Sequence, residues 1–188
     1  MEAKVFGPLF SRVGILPAVA AQDAAVLAAW ADAALDAGVP ALELFLRGEG
    51  AEAAVTAAIT SLRSSHPTLA VGAGSVYDAA TAAGIDWLPG AFTPTEIALA
   101  ERSGATYVKL FPAAAINAPA FIRATLAPSP TSKIVPTNVG LDEIAAFVAA
   151  GAAGFGVGPR LLDGADPRSA AAIAARLRAA REAAGHPA

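Results

Sequence analysis

The sequence contains no cysteine. That excludes a disulfide framework, a thiolate nucleophile and a cysteine-based metal site. Histidine is scarce as well. His66 precedes a proline in a turn and His186 lies in the C-terminal tail, so neither suits a catalytic triad or a metal centre, and no metal or cofactor is expected. No uncharged apolar run approaches the roughly 20 residues needed to span a bilayer, although 55% of the chain is hydrophobic. Much of that fraction is alanine, which favours helix and close packing, so no membrane partner is expected. Met1 to Lys4 lacks a basic segment followed by an apolar one, so no secretory signal is read and a cytoplasmic enzyme is the default. A basic stripe is missing too. With a net charge of −3, a nucleic-acid partner is not expected, and Arg176, Arg178 and Arg181 read as a solvated face of the last helix. The length of 188 residues suits a single domain over 1–188.

What is present is an alternation of short apolar runs and alanine-rich amphipathic segments. Strands are expected at Gly14–Ala20, Ala41–Arg47, Thr68–Gly74, Ile85–Gly90, Tyr107–Pro112, Lys133–Thr137 and Gly154–Gly158. Helices are expected between them. Asp23 caps one that Gly38 stops, a second covers Ala51–Arg63 and a short one Asp78–Ala83. Thr93-Pro94-Thr95-Glu96 supplies a cap, a proline at the first helical position and a first-turn carboxylate. Further helices start at Asn117, Leu141 and Asp166-Pro167.

Alternating β and α units with near-continuous apolar strands indicate a parallel sheet covered by helices. Mid-strand charges, proline or glycine at strand ends, and the lack of a dinucleotide-type glycine fingerprint favour a TIM-type (β/α) barrel over an open sheet. Seven β/α units are counted, one short of the usual eight.

Lysine is also scarce. The chain has only Lys4, Lys109 and Lys133. Lys4 is in the N-terminal arm, and Lys133 begins a strand, at the face of a barrel opposite the active one. Lys109 lies mid-strand in Tyr107-Val108-Lys109-Leu110-Phe111, sharing a face with the two aromatics. Apolar surroundings penalise an ammonium ion and favour the neutral amine that a Schiff-base lysine needs. A lysine at a sheet edge, or one snorkelling past its neighbours, is the other reading.

In the second strand Glu43, Phe45 and Arg47 share one face, opposite Leu42, Leu44 and Leu46. On the inside of a barrel this places Arg47 at the mouth and Glu43 deeper. Burial favours the protonated carboxyl that shuttles protons, and a nearby cation opposes it. A structural ion pair fits equally well. Asp32 and Asp36 read as a solvated helix face. Thr137-Asn138-Val139-Gly140 and Gly156-Val157-Gly158 follow consecutive strands. They are either simple turns or a source of backbone amides for an anion, since barrel phosphate sites often lie at the last two loops.

Four stretches in order, Glu43–Arg47 (ELFLR), Val71–Val76 (VGAGSV), Leu88–Glu96 (LPGAFTPTE) and Val108–Ala113 (VKLFPA), make the chain resemble the 2-keto-3-deoxy-6-phosphogluconate (KDPG) aldolases. These are class I, Schiff-base, pyruvate-yielding (β/α)8 lyases that include the 4-hydroxy-2-oxoglutarate aldolases. Gly14–Pro17 resembles their first strand, and Val135-Pro136-Thr137 the strand before their phosphate loop. The resemblance implies Lys109 as the Schiff-base lysine and Glu43 as the general acid/base. It implies Arg47 as partner of the substrate carboxylate, helped by Gly74, Ser75 and Pro89. Thr137, Asn138, Gly158 and Arg160 would hold the distal end of a small keto acid. It also implies a homotrimer and no cofactor.

The chain departs from this family in three places. Ser75 to Leu88 is too short for the β/α unit expected there. Asn138 and Val139 replace paired glycines. Gly158-Pro159-Arg160 replaces a Gly-Gly-Ser or Gly-Ser loop, and Pro159 removes an amide donor, for which Arg160 could compensate unless the substrate carries no phosphate. A catalytically weakened barrel that only binds a keto acid or phosphate, and a phosphate-binding isomerase or synthase using Lys109 electrostatically, are the competing expectations.

Overall fold

A computed structural model describes residues 6–45, 50–74 and 88–186. Strands β1 (Ile15–Ala20), β2 (Ala41–Phe45), β3 (Ala70–Gly74), β4 (Gly90–Ala91), β5 (Val108–Leu110), β6 (Ile134–Pro136) and β7 (Phe155–Val157) all pair in parallel. The pairing runs β3-β2-β1-β7 and β4-β5-β6, and a parallel bridge from Thr137 to Gly156 joins β6 to β7. Among the described residues β3 and β4 do not pair. Residues 75–87, which connect them, lie outside the described part, as does the expected helix Asp78–Ala83. This is the parallel α/β architecture read from the sequence.

Four helices start where a side chain satisfies free amides. Asp23 caps α2 (Ala24–Asp36) by accepting from Ala25 and Val26, and Arg168 holds its carboxyl below the usual value. Helix α3 spans Ala51–Ser65. Thr93 and Glu96 form a reciprocal capping box on α4 (Pro94–Arg102). The Phe92 amide, 2.8 Å away, holds the Glu96 carboxyl low. Asn117 caps α5 (Ala118–Leu126), and α6 covers Ile144–Ala149. The last helix, α7 (Ala170–Ala183), is capped by Ser169 rather than opened by Asp166-Pro167. Asp166 instead accepts from the Arg168 amide, 2.9 Å, in the preceding turn.

Helix α7 corrects the reading of Arg181 as part of a solvated face. Arg181 is buried and donates to the Ala37 carbonyl, 2.8 Å, at the end of α2. Gly38 fits there because its φ is +66° and a Cβ would lie 2.7 Å from the Arg181 guanidinium. Arg178 pairs with Asp36 at 2.9 Å, and Asp32 meets His66 at 3.1 Å. Asp32, Asp36 and Arg178 are exposed, as read from the sequence, and also join their elements through these pairs.

One element escaped the sequence reading. Phe6–Val13 forms α1, and Phe6, Leu9, Phe10 and Val13 recur at helical spacing. Phe10 stacks on Phe6 and meets Tyr107 edge-on, with centroids 5.3 and 5.0 Å apart. Ser11 hydrogen-bonds the Tyr107 hydroxyl at 2.6 Å, and Lys133 lies 5.0 Å over the Tyr107 ring. Tyr107, Lys133 and Gly154 all precede their strands, so α1 packs on the N-terminal end of the barrel. Phe10, Leu16, Ala41, Tyr107 and Val135 form one apolar cluster there. Phe10→Ala, at a position 1% exposed, should cost about 3–5 kcal/mol and lower Tm by roughly 6–20 °C. Thermal denaturation checks this; a shift of only a degree or two would mean that α1 does not close the core.

Candidate active site

The apolar layer at the base of the barrel sets what lies above it. Side chains two residues further along a strand point the same way. Two residues beyond Tyr107 is Lys109, and two beyond Ala41 is Glu43. Both therefore rise inward from β5 and β2 above the Tyr107–Ala41–Leu16–Val135 floor. The alternate residues Leu42, Leu44, Val108 and Leu110 are fully buried in the larger core against the helices. The twofold period thus sends aliphatics outward and the two ionisable groups inward.

Lys109 Nζ meets Glu43 Oε1 at 2.6 Å, with the side chains only 16% and 13% exposed. The two residues are 66 apart in sequence. Phe111 does not wall the lysine in as its position suggested. It is 62% exposed and follows the end of β5, with a cis Phe111-Pro112 peptide beyond it. The Glu43 carboxylate and the strands, not the flanking aromatic, define the lysine's surroundings. An amine with a carboxylate in hydrogen-bond reach can lose a proton and attack an electrophilic carbon.

Gly74 ends β3 directly beside this pair. A Cβ there would fall against Glu43 Oε1 and lie 2.9 Å from its Cδ, so the missing side chain is what leaves the carboxylate its place. Gly74→Ala should lower turnover about 10²-fold by displacing that carboxylate, with an unchanged circular-dichroism spectrum. A loss under threefold would show that Glu43 has room elsewhere. Pro89 accepts the Lys109 amide at 2.7 Å and so fixes β4 against β5. Arg47 and Ser75 lie outside the described residues.

The remaining expected site residues gather after β6 and β7. Thr137 donates its hydroxyl to the Leu110 carbonyl, 3.0 Å. Asn138 is left-handed, with φ of 56°. A Cβ on Gly158 would lie 3.6 Å from the Asn138 side-chain oxygen and 3.2 Å from the Ala18 carbonyl, so glycine permits that close approach. Val139 is buried, and its amide donates to Gly156 at 3.2 Å. Arg160 pairs with Glu143 at 2.8 Å. Sequence reasoning missed Glu143, although Gly140-Leu141-Asp142-Glu143 has the spacing of a helix-start carboxylate.

The family model for KDPG and KHG aldolase matches residues 78–174. A 2-dehydro-3-deoxy-phosphogluconate aldolase from Pseudomonas aeruginosa is 33% identical over 162 residues, covering 72% of each chain. The chain belongs to the KDPG and KHG aldolase family. Members of this family are lyases. Among solved structures, a 4-hydroxy-2-oxoglutarate aldolase/2-deydro-3-deoxyphosphogluconate aldolase from TTHB1 superposes with a TM-score of 0.78 at 25% identity, covering 94% of this chain and 97% of that one. A KDPG aldolase from Legionella pneumophila, determined with pyruvate captured as a covalent carbinolamine, superposes with a TM-score of 0.69 at 19% identity, covering 94% and 96%. That last likeness shows the fold. Among the described residues, no helix is long and apolar enough to cross a membrane, and no cluster of metal-ligating side chains is present.

Proposed function

We propose that the chain, as one barrel domain, is a Schiff-base aldolase that cleaves a 2-keto-3-deoxy (phospho)sugar acid or 4-hydroxy-2-oxo acid to pyruvate and an aldehyde. The observation that carries this reading is the 2.6 Å contact between Lys109 Nζ and Glu43 Oε1 inside the barrel. Glu43 takes a proton from Lys109, whose neutral amine attacks the C2 ketone to give a carbinolamine. Glu43 then returns a proton to the leaving hydroxyl, and loss of water leaves a protonated imine. As the carboxylate removes the proton from the C4 hydroxyl, directly or through a water, the C3–C4 bond breaks and its electrons flow into the imine. The aldehyde departs and an enamine remains. Protonation at C3 and hydrolysis release pyruvate and restore the amine.

Arg47, Gly74, Ser75 and Pro89 are assigned to the carboxylate end of the substrate, and Thr137, Asn138, Gly158 and Arg160 to its distal end. The same reading carries a homotrimer, for which the exposed Phe92, Leu99 and Phe111 offer apolar surface. Light scattering would test it. The deciding experiment is borohydride reduction in the presence of pyruvate. A single reduced pyruvyl adduct on Lys109 is expected, whereas an unmodified protein would leave only a barrel that binds keto acids.

A further inference from the structure

The loops after β6 and β7 occupy the part of the barrel where phosphate groups are commonly held. Several of their donors are engaged or missing. The Val139 amide is taken by the Gly156 carbonyl, and the Gly140 amide by Glu143 Oε2 at 2.9 Å. Pro159 has no amide hydrogen. The Arg160 guanidinium, 43% exposed, meets the same Glu143 oxygen at 2.8 Å. One carboxylate oxygen thus accepts both a backbone N–H and a guanidinium, the two kinds of donor that a phosphate oxygen would take. A second carboxylate, Asp142, stands close by, with Oδ1 2.7 Å from where a Gly140 Cβ would lie.

We propose that Glu143 is a specificity-determining residue. It acts as an internal anion that keeps Arg160 and the Gly140 amide occupied, and so turns the site towards keto acids whose distal end carries no phosphate. The inference rests on the aldolase reading for its substrate class. Physically, a phosphate brought to Arg160 must displace Glu143 or share the guanidinium with it, and Glu143 and Asp142 both repel it. A neutral hydroxylated tail meets no such opposition. Both groups of the pair face solvent in part, which limits the effect through screening.

The test compares the full-length wild type with Glu143→Gln, which keeps an acceptor for the Gly140 amide and removes the charge. Two quantities are read. One is the dissociation constant for inorganic phosphate at low ionic strength. The other is the ratio of kcat/KM for the phosphorylated and unphosphorylated forms of one 2-keto-3-deoxy acid. In the wild type, weak phosphate binding and no preference for the phosphorylated acid are expected. Glu143→Gln should bind phosphate about tenfold more tightly and shift the ratio about tenfold towards the phosphorylated acid.

A wild type that favours the phosphorylated acid tenfold or more would overturn the proposal. So would a variant that moves neither quantity. Should Glu143→Gln fail to fold, Arg160→Ala decides the matter, because a selective loss on the phosphorylated acid would show Arg160 already serving phosphate. Phosphate binding needs no turnover, and pyruvate trapping reads the aldol chemistry separately. Failure of either idea is therefore distinguishable from failure of the other.

Discussion

Lys109→Ala is expected to abolish aldol cleavage, with kcat/KM falling by at least about 10⁴-fold, or some 5–6 kcal/mol of transition-state stabilisation. Among the described residues no other lysine is placed to replace it. Lys133 lies before β6 over the Tyr107 ring, at the opposite end of the barrel. Removing a covalent nucleophile deletes the whole low-barrier route, so the loss should appear in kcat and not only in KM. Borohydride with pyruvate should leave the variant unmodified. The variant also strips Glu43 of its partner amine 2.6 Å away. Losing one partner of a part-buried pair costs some stability, but the Glu43 side chain keeps 13% of its surface exposed to water, so the fold should survive. Circular dichroism and thermal denaturation separate the two roles. A chain that collapses without Lys109 would mark the residue as structural, and a folded variant that still cleaves would remove it from the chemistry.

Glu43→Gln should lower kcat by about 10² to 10⁴-fold, the range for loss of a positioned general acid/base. Glutamine preserves volume and can still accept from Lys109 through its amide oxygen, so packing beside Gly74 should be retained. What it cannot do is carry a proton at neutral pH. Pyruvate trapping on Lys109 should therefore persist, though more slowly, while cleavage and the exchange of pyruvate methyl protons are nearly lost. That split distinguishes a proton shuttle from a structural ion pair, in which stability would fall and turnover would not. If kcat drops less than tenfold, the proton acceptor lies elsewhere.

Much of this was legible in the chain. Alternation in Ala41–Phe45 and Val108–Leu110 is a local property, because a strand sends successive side chains to opposite faces whatever surrounds it. It therefore placed Glu43 and Lys109 on faces opposite their aliphatic neighbours. Caps at Asp23, Thr93 and Asn117 were visible for the same reason, since a side chain two or three residues away satisfies the free amide. By contrast, α1 was passed over although its apolar spacing was available, and α7 starts later than Asp166-Pro167 suggested. Proline marks a turn as readily as a helix start.

The sequence by itself determined the parallel α/β class, the scarcity that singles out Lys109, and the family motifs. Only the tertiary structure decided which groups meet. The 2.6 Å contact between Lys109 and Glu43, the missing Cβ of Gly74 that leaves room for it, and the capture of Arg160 by Glu143 join residues on different elements. Their distances depend on strand order, register and the shape of loops, which are set by how the whole core packs rather than by any local run of residues.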